Sequence, residues 1–186
     1  TATALTAFGP VCINSTAGPN SFTINGAFLT TANVNVGPLA GYTFSTTAGG
    51  TYTASLSLVQ PGGTYTQQVF VKFNPTAVQA YTGNIPVAGG GFATTVNVAA
   101  SGSGVNSTAT VITGTAVNIT TQSALVAGQV ITEGCSAVTS YGVEWSGING
   151  FANGTGTPVA GSSISAGNFT VPMTGLVQGA TYYYHA

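Results

Sequence analysis

Charged side chains are almost absent from this sequence. Lys72 is the only basic residue, Glu133 and Glu144 are the only acidic ones, and charged residues make up 2% of the chain. An ordinary soluble domain carries about 25%. Nucleic acid and anionic membrane surfaces are therefore excluded as partners, because both are bound through Lys and Arg. A surface of Thr, Ser, Asn and Gln also has no like charges that would repel a neighbouring copy.

The sequence also lacks the residue sets that most enzymes need. There is no aspartate to orient His185 in a Ser-His-Asp triad, and no Asp-rich calcium loop. Glu133 and Glu144 form the only carboxylate pair, and we expect both to be surface residues. Cys12, Cys135 and His185 are not at a metal-ligand spacing. We therefore predict no catalytic residue, no metal site and no cofactor, and that the chain is not an enzyme.

Long apolar runs and helical periodicity are missing as well. No run approaches the roughly 20 residues that a membrane helix requires, so direct membrane insertion is not expected. Apolar residues do not recur at spacings of three and four, but they alternate with polar residues in several stretches. The clearest are Thr53-Ala54-Ser55-Leu56-Ser57-Leu58, Val69-Phe70-Val71-Lys72-Phe73 and Thr94-Thr95-Val96-Asn97-Val98. The pattern predicts an all-β protein.

Glycine and proline clusters divide the chain into short strands. Most of the 27 glycines lie in such turn signals, for example Pro61-Gly62-Gly63 and Gly89-Gly90-Gly91. We place a hinge at Ser101-Gly102-Ser103-Gly104, between two strand-rich halves. The spacing of the turns favours two tandem immunoglobulin-like or fibronectin III-like β-sandwiches, over residues 1–104 and 105–186.

The second half has the skeleton of such a sandwich. Residues 138–145 resemble a third strand that carries a core tryptophan, Trp145. Leu176 precedes Tyr182 by six residues, as in a tyrosine corner, in which the phenol bonds to upstream backbone. We assign Trp145, Leu176 and Tyr182 to the core.

Both halves resemble repeats of large Bacteroidota cell-surface proteins. The second resembles their fibronectin type III-like repeat and the first their immunoglobulin-like repeat, and together the resemblances cover nearly the whole chain. The second half matches at Thr120-Thr121-Gln122-Ser123-Ala124, Gly134-Cys135-Ser136-Ala137-Val138-Thr139, Tyr141-Gly142-Val143, and Gly175-Leu176 through Tyr182-Tyr183. The first half matches at Phe8-Gly9, Val11-Cys12, Ser21-Phe22-Thr23-Ile24, Ser45-Thr46-Thr47, Val71-Lys72-Phe73-Asn74-Pro75 and Tyr81-Thr82-Gly83-Asn84-Ile85.

The resemblance implies export to the cell surface and a role as an adhesin, a spacer or a filament part. The chain departs from the family in that it has one Lys and no Arg or Asp. It also departs at its end, where the family has a further strand. We therefore expect the second sandwich to lack its last strand and to have an open edge at Tyr182, Tyr183, Tyr184, His185 and Ala186.

Two sources of the missing strand stay open. A longer polypeptide supplies it, or a neighbouring copy donates it. The donor candidate is Thr1-Ala2-Thr3-Ala4-Leu5-Thr6-Ala7-Phe8, which is uncharged and alternating, and whose other interpretation is the first strand of its own sandwich. Either source makes a head-to-tail contact that does not close into a ring.

The two cysteines suggest a disulfide in an exported chain. In the expected topology Cys12 ends the first strand of domain one, and the loop with Cys135 faces that domain. We predict a Cys12–Cys135 bridge, which requires Cα atoms closer than about 7 Å. An intersubunit bridge and two free thiols are the alternatives.

These observations predict a structural repeating unit of an extracellular or cell-surface filament, or of a giant surface protein. Its partners are copies of itself or adjacent repeats. One alternative is an adhesin segment that binds surface glycans through exposed aromatic residues, with Tyr42, Tyr52, Tyr65, Trp145 and Phe151 as candidates. Another alternative is a pair of accessory domains from a secreted enzyme.

Overall fold

The computed structural model describes residues 1–186, and the chain is all-β. It divides into two compact units, Thr1–Asn106 (unit one) and Ser107–Ala186 (unit two). Each unit is built from two sheets whose apolar faces enclose one core. The predicted fold class, tandem β-sandwiches of the immunoglobulin-like kind, is confirmed.

Unit one consists of eight strands in two sheets. One sheet has the order β1-β8-β7-β3-β5, with β1 parallel to β8, and the other has the order β2-β6-β4. The strands are β1 (Pro10–Cys12), β2 (Ala17–Leu29), β3 (Val34–Val36), β4 (Tyr42–Ser45), β5 (Leu56–Leu58), β6 (Gly63–Phe73), β7 (Ala80–Gly89) and β8 (Val96–Val105).

Alternation along these strands creates the core of unit one. Phe22 and Ile24 of β2 and Val34 and Val36 of β3 are fully buried, while the residues between them are not. This is the period-two pattern of a sheet with one face packed on a core. An aromatic cluster extends that core, in which Phe73 lies 5.0 Å from the ring of Tyr42 and 5.4 Å from that of Tyr81.

The predicted hinge at residues 101–104 is wrong, because these residues belong to β8. They are paired with β7 on one side and β1 on the other. Close packing, and not flexibility, requires a small residue here, because a Cβ on Gly102 would come within 2.7 Å of the Phe73 ring. The chain passes from one unit to the other after Asn106.

Unit two consists of seven strands. One sheet has the order β13-β14-β10-β9 and the other β12-β11-β15. The strands are β9 (Thr110–Val117), β10 (Ser123–Thr132), β11 (Gly142–Ser146), β12 (Thr157–Ala160), β13 (Ile164–Ser165), β14 (Asn168–Thr174) and β15 (Tyr183–His185).

The predicted third strand of unit two is shorter than the sequence suggested. Residues 138–141 lie outside any strand, and β11 begins at Gly142. The Tyr141 ring instead packs 5.1 Å from Phe169, and Val138 packs against the same core. The apolar side chains of this stretch therefore pack on the core although the backbone forms a loop. An alternating sequence pattern does not distinguish such a loop from a strand.

Candidate assembly site

The outer edge of β15 has no strand partner. β15 pairs with β11 through Glu144↔His185, Trp145↔Tyr184 and Ser146↔Tyr183, and it is the last strand of its sheet. Of the residues expected at the open edge, Tyr183–His185 form this strand, while Tyr182 precedes it and Ala186 follows it. Two hydrogen bonds join this region to β9: the Ala186 N–H donates to the Thr113 hydroxyl at 2.8 Å, and the Tyr184 hydroxyl donates to the Gly114 carbonyl at 3.2 Å. An unpaired strand edge is a template for a further strand.

An apolar groove of about 400 Å³ lies beside β15. Its floor is formed by buried core residues, and its walls come from β9, from the turn after β9 and from the connection between β14 and β15. No charged residue lines it. The main lining residues are Ala116, Ile119, Val126, Met173, Leu176 and Tyr182.

Two of the three residues predicted in the core of unit two, Leu176 and Tyr182, line this groove. Trp145, Leu176 and Tyr182 pack against the core but are only half-buried. The Tyr182 hydroxyl accepts a hydrogen bond from the N–H of Val177 at 3.0 Å, and its ring meets Trp145 edge-on at 5.1 Å.

Residues 1–8, the candidate donor strand, are placed on their own unit. Ala2 bridges Ile24, and the Thr3 N–H donates to the Thr23 carbonyl at 2.9 Å. Leu5 and Phe8 pack against the core of unit one. The inward residues recur every three positions rather than every two, so this segment follows the core without forming a regular strand.

Both cysteines are disulfide-bonded. Cys12 ends β1 in unit one, and Cys135 lies in the loop after β10 in unit two. The alternative of two free thiols is therefore wrong, since the chain contains no free cysteine. The Cys12–Cys135 pairing stays a prediction.

The few charged side chains are dispersed. Glu144 and His185 face each other across β11 and β15 at 3.2 Å, and the same carboxylate accepts the Gly154 N–H at 2.8 Å. Phe151 stacks on the His185 ring at 4.5 Å. Lys72 lies 4.3 Å above the Tyr52 ring. No group of three His, Cys, Asp or Glu side chains is close enough to hold a metal ion.

The Glu144–His185 pair was missed at the sequence level. Glu144 lies in the strand predicted over residues 138–145, and His185 lies at the predicted open edge, so the two could have been neighbours on adjacent strands, where side chains interact. The sequence does not give the register between β11 and β15, and this register places Glu144 opposite His185.

The aromatic residues proposed for glycan binding have structural partners. Tyr42 is 3% exposed and faces the core of unit one, so its assignment as an exposed aromatic was wrong. Tyr52 contacts Lys72, Phe151 contacts His185, and Trp145 contacts Tyr182. Tyr65 is partly buried, and Phe151 lines an open cavity together with Tyr182, Tyr183, Tyr184 and His185.

Tyr81 has an unusual hydrogen-bond environment. Its hydroxyl lies 3.4 Å from the Thr76 hydroxyl and accepts the N–H groups of Thr76 at 3.1 Å and Ala77 at 3.0 Å. These hydrogen bonds, the largest from the Thr76 side chain, stabilise the phenolate and lower the pKa of Tyr81 to about 8. Burial acts in the opposite direction but has a smaller effect. Burial raises the pKa of neighbouring Tyr42 to about 12.

We expect an ultraviolet titration to show one of the eight tyrosines ionising near pH 8. Tyr81→Phe should remove that step, whereas Tyr183→Phe should retain it. Because the folded pKa of Tyr81 lies below the usual 10, the free energy of unfolding should rise between about pH 8 and pH 10. It should then fall towards pH 12, since Tyr42 ionises more readily when unfolded. A first ionisation only near pH 10 would contradict the assignment.

No protein-family model matches the chain, and no curated protein is significantly similar to it. The structure contains no helix of the length and apolarity that spanning a membrane requires.

Proposed function

We propose that the chain is a structural repeating unit of an extracellular filament or of a giant surface protein. The units join head to tail, by strand pairing or by covalent continuity between repeats. The observation that carries the proposal is the unpaired edge of β15 beside an uncharged apolar groove.

Strand addition suits this edge physically. Main-chain groups along an open edge supply affinity, and an adjoining groove takes alternate side chains of the added strand. A contact between the edge of one unit and a different surface of the next is heterologous, and such contacts extend into chains instead of closing. Residues 1–8 of a second copy are one donor, and a following stretch of polypeptide is the other.

The composition supports the same proposal. With one Lys and two Glu residues, nothing on the surface opposes close packing of identical units. A disulfide and the absence of a membrane-spanning helix fit a secreted or extracellular protein, because disulfides persist in oxidising compartments.

The assembly should respond little to salt. We expect the assembled fraction to stay constant from about 0.1 M to about 1 M NaCl, over which the screening length falls from about 10 Å to about 3 Å. Light scattering or sedimentation of the native material measures this. Fibres that dissolve at moderate salt would show that ionic contacts hold them, against the proposal.

The mass of the native material under denaturing conditions separates the two modes of joining. A species near 18.3 kDa without reductant indicates separate subunits with an intrachain disulfide. A ladder that collapses to that mass on reduction indicates an intersubunit bridge. A chain many times heavier, with or without reductant, indicates covalently continuous repeats.

A further inference from the structure

Asparagine is followed by glycine at three places in the chain, Asn25, Asn149 and Asn153. An asparagine amide is lost most readily before glycine, because glycine has no Cβ to shield the backbone nitrogen that attacks the amide. The attack also requires that this nitrogen is not held elsewhere and that the backbone can turn to bring it to the side-chain carbon. The three sites differ in both respects.

The first site is blocked by strand pairing. Asn25 lies within β2, where it pairs with Thr66 of β6, and its N–H donates to the Thr1 carbonyl at 2.8 Å on the other side. Gly26 is buried and is paired with Tyr65. Neither residue can turn unless the sheet opens locally.

The third site is exposed, but its attacking nitrogen is engaged. Asn153 lies in the loop between β11 and β12. The Gly154 N–H donates to Oε2 of Glu144 at 2.8 Å, and the same oxygen lies 3.2 Å from Nε2 of His185. A carboxylate is a strong acceptor for a backbone N–H, so this bond opposes the turn that attack requires.

The second site has neither restraint. Asn149 and Gly150 are both exposed, in a turn of the same loop, and the Gly150 N–H makes no hydrogen bond within the protein. Gly150 has a φ of 69°, and no atom beyond its chain neighbours lies within 4 Å of the place that a Cβ would take. The Asn149 side chain and water can therefore both reach this peptide group.

We propose that Asn149–Gly150 is a self-modification site, at which the Asn149 amide becomes a carboxylate without an enzyme. The Gly150 nitrogen gives up its proton and bonds to Cγ of Asn149, while the bond between Cγ and Nδ2 breaks. Nδ2 leaves as ammonia and carries that proton. Water then opens the cyclic imide at either carbonyl, which gives aspartate or isoaspartate, and nothing is oxidised or reduced.

The product carboxylate would change the charge of its surroundings. Asn149 lines an open cavity of about 340 Å³ together with Phe151 and His185. Conversion places a negative charge at this cavity and lowers the formal net charge from −1 by one unit. The chain has only two other acidic residues, so this is a large change for its surface. It would occur whether or not copies of the chain assemble.

A timed incubation of the full chain in heavy-oxygen water at mildly alkaline pH tests the proposal. A protease that cleaves after aromatic residues, used in ordinary water, separates Asn149 from Asn153 at Phe151, and the heavy oxygen marks conversion that preceded digestion. Asn149 should convert at least about tenfold faster than Asn25 or Asn153. In urea the three rates should become similar, because every glycine nitrogen is then free. Conversion of Asn149 in the folded chain that is no faster than at the other two sites overturns the proposal.

Three variants test the assignment and its cause. Asn149→Gln keeps a neutral amide on a longer side chain that closes the ring far more slowly, so the main acidic species on isoelectric focusing should disappear. Asn153→Gln is the matched control and should leave that species unchanged; its loss there would place the modification at the wrong residue. Glu144→Ala frees the Gly154 N–H, so conversion at Asn153 should rise at least about tenfold while the rate at Asn149 stays the same. An unchanged Asn153 rate, with Trp145 fluorescence showing a folded unit two, would contradict selection of Asn149 by its unbonded neighbour.

Discussion

Replacing Phe73 by alanine should lower the free energy of unfolding of unit one by about 3–5 kcal/mol. Phe73 is fully buried and stands at the centre of the ring cluster formed with Phe8, Tyr42 and Tyr81. The loss combines the transfer of the ring from water with the cavity left behind, and rigid sheets on both sides limit collapse. Hydrogen exchange of the β6 and β8 amides measures the change in unit one.

Phe28→Ala is the matched control, because it removes the same side chain from an exposed position. We expect a change within about 0.5 kcal/mol, measured at concentrations where the chain is monomeric. Trp145, the only tryptophan, lies in unit two, and its fluorescence reports separately on that unit. A loss below about 1 kcal/mol for Phe73→Ala would mean that the cluster repacks and is not a close-packed core.

Replacing Gln60 by leucine should cost unit one about 2–4 kcal/mol. The change leaves the carbonyls of Thr30 and Ala32 and the N–H of Gly62 without their partner. Each unsatisfied buried group costs about 1–3 kcal/mol, partly recovered where water enters. Chemical denaturation gives the total. Exchange of the Gly62 amide and of the amides of residues 30–33 should accelerate most, since Gln60 accepts the Gly62 N–H and holds the carbonyls of Thr30 and Ala32.

Gln68→Leu provides the control for that experiment. Gln68 is exposed, and its amide donates to the Ser21 hydroxyl at 3.0 Å on the sheet surface. Water replaces that bond when it is lost, so the expected cost is below about 0.5 kcal/mol. If both substitutions cost the same, the bonds of Gln60 do not hold residues 30–33 in place.

The fold class was predictable because alternation directly reports which face of a strand is buried. Phe22 and Ile24 show this, as both were placed on one strand face and both are fully buried. The hinge was mispredicted because Ser and Gly clusters have two causes, flexibility and close packing. In β8 the second applies, since Phe73 occupies the space that a side chain at residue 102 would need.

The end of β2 shows why the exposure of Phe28 was not predictable from the sequence. Strict alternation from Phe22 would bury residue 28, but the register shift after Gly26 turns Leu29 inward and Phe28 outward. A bulge changes the parity of every residue beyond it, and nothing in the local sequence fixes where it falls. The groove likewise depends on which strands are neighbours in the sheet, a long-range property of the chain.

The placement of Lys72 bears on how long the protein survives among proteases. Trypsin-like enzymes cleave after Lys or Arg, and this chain offers them a single position. That position lies within β6, which is paired with β2 on one side and β4 on the other, and its side chain lies over Tyr52. Cleavage requires an extended, unpaired segment, so the strand must first leave the sheet. The scarcity of charge therefore gives the folded chain durability against this class of enzyme.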